Sequence, residues 1–151
     1  MDKIYVVKLT SCDRYGRDNS YYPCENEKVA LKKYNQLRNE FLARISEETQ
    51  NDFIKGADND DGHIYAHSVD YDHWFEIEIV QQEILKAEDI CPDYVIKYGR
   101  QWESARIKHN LADYDWWLVC TSDEMGEMHC NNKTGTLLLI EPNGSRWESV
   151  I

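Results

Sequence analysis

The 151-residue chain combines a hydrophobic fraction of 42% and an aromatic fraction of 12% with only 3 prolines and 7 glycines, which suits a packed core and excludes a disordered chain. Its formal net charge of −11 disfavours nucleic-acid phosphates and anionic lipid as general partners of the surface. Its apolar runs, such as Leu137–Ile140, fall far short of the ~20 residues that a membrane-spanning helix requires.

The length predicts one domain over 1–151, with a division into sub-lobes 1–87 and 88–151 left open. The N-terminal residues Met1-Asp2-Lys3-Ile4-Tyr5-Val6-Val7 hold no apolar stretch of signal-peptide length, so a cytoplasmic location is expected. The cysteines Cys12, Cys24, Cys91, Cys120 and Cys130 are odd in number and widely spaced, with no Cys-x-x-Cys pair. Reduced thiols are expected.

Residues 3–9 alternate around Ile4, Val6 and Val7 and predict a first strand. The polar stretch 11–20 predicts a loop or a wide hairpin. Tyr21-Tyr22-Pro23 predicts a short returning edge strand, where proline costs no ladder donor. From Glu25 onward, Ala30, Leu31, Tyr34, Leu37, Phe41, Leu42 and Ile45 recur at steps of three and four, the face of one long amphipathic helix. Phe53, Ile54 and the candidate C-cap Gly56 predict that this helix, or a short second one, ends at 56.

Residues 58–62 (Asp-Asn-Asp-Asp-Gly) predict a loop, and 64–66 a strand. Residues 71–84 predict a longer strand with clear period-two alternation. Tyr71, His73, Phe75, Ile77 and Ile79 point to the core. Asp70, Asp72, Trp74, Glu76 and Glu78 form a row of carboxylates around one indole. A second helix is expected over 88–109, carried by Val95, Tyr98, Trp102, Ala105 and His109. The C-terminal quarter predicts an antiparallel meander that ends in the Pro142-Asn143-Gly144 hairpin. Together these elements predict an α+β fold: a mainly antiparallel sheet, one long amphipathic helix, a second helix and a C-terminal β-meander.

Charge is concentrated in one segment. Residues 57–93 hold eleven acids against a single base, Lys86, for a net −10, whereas 1–55 hold ten bases and nine acids. Held close, like charges destabilise the compact state, so the cluster suggests a use or a counter-ion. An EF-hand with its glycine at Gly62 would need an acid at 57 and a glutamate at 68, where Ala57 and Ser68 stand. On a strand, His63 and His67 share a face but lie ~13 Å apart, too far for one metal. No phosphate-cradling glycine loop and no nucleophile elbow is present. No catalytic, metal or cofactor site is therefore expected.

The expected function is that of a small, acidic, non-enzymatic inhibitor or binding protein. Its partner would be a basic protein: a toxin met by its immunity protein, or a nuclease or other nucleic-acid-handling enzyme met by a phage- or plasmid-encoded inhibitor. The expected contact residues are Asp58, Asp60, Asp61, Asp70, Asp72, Trp74, Glu76 and Glu78, with the acids imitating phosphate spacing and Trp74 as anchor. Two alternatives stand beside it. One is a small hydrolase or metal-dependent enzyme using the 58–73 region. The other is a structural subunit with Trp116 and Trp117 exposed.

Overall fold

The computed structural model describes residues 3–50, 52–59, 62–83, 111, 116–131 and 134–149. Strands β1 (Lys3–Asp13) and β2 (Gly16–Cys24) lead into helix α1 (Glu27–Glu48). β3 (Phe53–Asn59), β4 (His63–Ser68) and β5 (Trp74–Glu83) follow. The meander is β6 (Trp116–Ser122), β7 (Gly126–Asn131), β8 (Leu137–Ile140) and β9 (Arg146–Glu148). The first sheet has five antiparallel strands in the order β2-β1-β5-β4-β3, and the second has four in the order β6-β7-β8-β9. The α+β class and the C-terminal meander agree with the sequence pattern. One helix is present among the described residues; the second, expected over 88–109, lies outside them.

At 11–20 the hairpin alternative holds, whereas the end of the helix and the strand after it differ from expectation. The stretch 11–20 is a continuous hairpin, with Asp13 paired to Gly16 across Arg14 and Tyr15. The Asp13 carboxylate accepts the N–H groups of Tyr15 and Gly16 at 2.8 and 3.1 Å, which sets the turn. Its strands are solvated on both faces, so no apolar period marks them. Helix α1 begins at Glu27, just after the expected start at Glu25: Asn26 caps it by accepting the Val29 N–H at 2.9 Å. It stops at Glu48: the Thr49 N–H still bonds the Ile45 carbonyl as in a helical turn, but Gln50 takes a left-handed φ of 57° and its N–H shifts to the Glu47 carbonyl. Phe53 to Asn59 therefore form a strand and not the end of a helix.

Gly56 is consequently no helix cap. It sits at the bulge where the β3–β4 register shifts between Lys55 and Ala57, and a Cβ there would lie 2.6 Å from Cδ1 of Tyr65. The absent side chain makes room for the Tyr65 ring.

Two apolar clusters hold the fold. Ala30, Tyr34, Leu37 and Ile45 of α1 pack on Val7, Leu9, Ile64, Phe75 and Ile77, on one face of the first sheet. On the other face Ile4, Val6 and Tyr21 pack against Val119, Met128, Leu137 and Leu139 of the meander. β1 is thus apolar on both sides, which explains its unbroken run Ile4-Tyr5-Val6-Val7. Trp116, expected to be exposed in the assembly reading, instead packs with Leu111, Leu138 and Ile140.

Candidate interaction face

The meander covers only part of the first sheet's outer face. Along β5 the coverage ends between Val80, which packs against the meander, and Glu78, which is partly solvated. Beyond that line, strand registry builds in rows a face that no described element covers, although Thr10 and His67 within it are buried among their neighbours. Cys12 pairs with Arg17 on one side and Trp74 on the other, and Trp74 pairs with His67. The next rows bring Thr10, Glu76 and Tyr65 together, and then Lys8, Glu78 and His63. Phe75 and Ile77 alternate with these residues and are buried under α1, as period two requires.

Aromatic rings dominate one end. The Trp74 and Tyr65 centroids are 6.2 Å apart, and those of Tyr65 and His67 5.6 Å. His67 stacks on Tyr71 at 4.0 Å and 8°. The Arg17 guanidinium carbon lies 5.5 Å from the Trp74 ring centroid. Burial, with Tyr71 and Glu76 nearby, pushes the Tyr65 phenol up, so it stays a neutral hydroxyl.

The acids are less bare than the sequence suggested. Oε2 of Glu76 is 2.9 Å from Nε2 of His63. Nζ of Lys8 donates to Glu124 at the β6–β7 turn and lies 3.8 Å from Glu78. Desolvation works against the Lys8 charge, but the hydrogen bond and attraction of Glu124, reinforced by Glu78, raise its pKa overall. Glu76 and Glu78 both keep 39% of their side-chain surface in solvent, so each still presents a carboxylate outward.

The expected carboxylate row is therefore shorter than predicted. Asp70 and Asp72 lie in the β4–β5 turn and not on the strand, because Tyr71 adopts a left-handed φ of 62° and the Ser68 N–H bonds the His73 carbonyl at 2.7 Å. The Ser68 hydroxyl donates to Asp70 at 2.7 Å. That bond, with the Asp72 N–H, holds the Asp70 carboxyl below its ordinary range. Asp58, expected in a loop, is in β3, bound by Arg38 at 2.9 and 2.6 Å and by Lys55 at 3.3 Å. Asp60 and Asp61 lie outside the described residues. Of the eight expected contact residues, Trp74, Glu76 and Glu78 share the uncovered face.

The histidines do not converge. His63 faces Glu76, His67 stacks on Tyr71, and His73 faces the helix with Nδ1 3.1 Å from Glu48. Among the described residues no group of three or more histidine, cysteine or acidic side chains is placed to hold a metal. Cys12, Cys24, Cys120 and Cys130 are thiols. Beside Trp74, a cleft of about 80 Å³ between the hairpin and α1 is well below the ~300–1,000 Å³ of small-molecule sites.

Sequence reasoning missed Arg17, Tyr65 and His67 as members of this face. Arg17 lies in a polar stretch that reads as a loop or a wide hairpin, with no face assigned to its residues. The alternation His63, Tyr65, His67 was the available signal for β4, but which strand it pairs with is a long-range fact. No protein-family model, no curated protein and no solved structure matches this chain.

Proposed function

We propose that this protein is a non-enzymatic binding protein that engages a basic protein partner through the uncovered face of its five-stranded sheet. The observation that carries this reading is the placement of Trp74. It is half-buried, with Arg17 and Tyr65 beside it and the partly solvated carboxylates of Glu76 and Glu78 following along the same strand. An aromatic anchor beside outward carboxylates suits a partner that is apolar at one point and positive around it. The net charge of −11 steers such a partner in and accelerates encounter. A basic groove of a toxin, or of a nuclease or other nucleic-acid-handling enzyme, has this chemistry, and covering it would inhibit that protein.

The test compares partner capture by the wild-type protein, by Trp74→Ala and by the double variant Glu76→Lys/Glu78→Lys. Native-host extract is used at low and high salt. The reading expects a basic protein retained by the wild type and lost from both variants, with unchanged circular dichroism. Wild-type capture should weaken at high salt, because the charge attraction is screened. Equal capture by all three proteins would overturn it.

A further inference from the structure

We infer that the uncovered face reads arginine: a guanidinium of the partner takes the place over Trp74 that Arg17 holds in the unbound protein. This rests on the proposed binding role of that face and names the side chain recognised. Arg17 and Trp74 are on strands separated by β1, and only Cys12 stands between them in the row. That small side chain lets the guanidinium reach across to 5.5 Å from the ring centroid. The Trp74 ring therefore already receives a planar cation. Among the described residues Arg17 makes no salt bridge, and its head group lies over the Trp74 ring without a carboxylate to hold it there. It sits on an exposed hairpin arm, where a cation–π contact is weak and exchangeable.

An incoming arginine would find more than Arg17 does. Glu76 is two residues from Trp74 on the same strand face, ~6.6–6.8 Å along it. Its carboxylate is partly solvated: Oε2 lies 2.9 Å from Nε2 of His63, and the second oxygen remains to accept a guanidinium N–H. Lysine carries the same charge but is strongly hydrated and has no plane to stack. General attraction to a −11 protein does not distinguish the two cations, whereas an aromatic face with an adjoining carboxylate does.

The experiment titrates the intact protein with hexa-arginine and with hexa-lysine by calorimetry at ~0.1 M salt. Hexa-arginine is expected to bind at least about five-fold more tightly. Arg17→Gln should tighten hexa-arginine binding by more than it tightens hexa-lysine binding, since it vacates the ring as well as removing a charge. Trp74→Leu should abolish the arginine preference while leaving charge-driven binding of both peptides. Trp74→Phe should keep part of the preference, which guards against a folding defect in the leucine variant. Equal affinities in the wild type, or a preference that survives Trp74→Leu, would overturn the inference. Failure of the broader reading looks different: the native partner would be captured equally by the Trp74 and Glu76/Glu78 variants, whatever the two peptides do.

Discussion

Arg38 of the helix grips Asp58 of the edge strand β3 with two parallel hydrogen bonds, Nε to Oδ1 at 2.9 Å and Nη2 to Oδ2 at 2.6 Å. The pair ties the outermost strand of the sheet to α1. Because β3 pairs with β4 on one side only, this is a cross-element anchor for an otherwise one-sided strand.

The first prediction concerns acid. The Arg38 hydrogen bonds, assisted by Lys55, hold the Asp58 carboxyl below its ordinary value. A carboxyl with a lowered folded-state pKa binds fewer protons than it does in the unfolded chain. Its stabilising contribution is therefore complete above the ordinary aspartate pKa of about 3.9 and is lost as pH falls through the lowered folded value. Both side chains are partly exposed, so the contribution is about 0.5–1 kcal/mol. Stabilities of Arg38→Met and wild type from urea unfolding should differ by that amount at pH 7 and converge at about pH 2, where the carboxyl is protonated in both folded and unfolded states. A gap of the same size at both pH values would show that the pair contributes packing and not charge.

Neighbouring residues on β5 should respond very differently to truncation. Phe75 is 2% exposed and packs against Phe41, so Phe75→Ala should cost about 3–5 kcal/mol. Trp74 points to the open face, and Trp74→Ala should cost clearly less, about 1–2 kcal/mol. Chemical denaturation of the two variants measures both. Similar losses would mean that Trp74 belongs to the core.

Gly56→Ala should disturb the uncovered face through the Tyr65 ring. The new methyl group would meet the Tyr65 ring at 2.6 Å, so the ring must move, at a cost of about 1–3 kcal/mol. In a Tyr65→Ala background most of that penalty should vanish. Thermal melts of the single and double variants give the coupling directly, and additive effects would place the strain in the backbone.

Thiol chemistry should separate the cysteines. Burial pushes both Cys24 and Cys120 up to about 11. At pH 8 their thiolate fractions are on the order of one in a thousand. A thiol-specific reagent should leave these two unlabelled in the native protein and modify them on unfolding, with each site read by peptide mass spectrometry. Rapid native labelling of either one would show that its core cluster opens readily.

What the sequence disclosed divides by range. The helix stripe from Ala30 to Ile45 and the alternation from Trp74 to Ile79 were legible, because burial imposes a local period on both. The hairpin arm at 13–19 was not, since a strand solvated on both sides carries no such period. β3 was missed because Phe53 and Ile54 extend a helical spacing that Thr49 and Gln50 interrupt by backbone geometry. Asp70 and Asp72 were drawn into the row by their spacing alone, while the left-handed Tyr71 between them puts both in a turn. The partners of Glu76 and Glu78 come from β4 and β1 and depend on pairings that no local pattern reveals.

β1 has a consequence for how this chain comes into being. It emerges from synthesis before every element that covers it. Its pairing with β5 joins Lys3 to Glu83, and the Leu137 and Leu139 side chains that help to cover Ile4 and Val6 come later still. During that interval β2 can pair with it and α1 can cover Val7 and Leu9, but Ile4 and Val6 on the other face stay bare. Contacts so distant along the chain form slowly, and an uncovered strand of this kind is the natural seed of self-association. The same double burial that fastens the two sheets together makes the nascent protein vulnerable until most of it has been made.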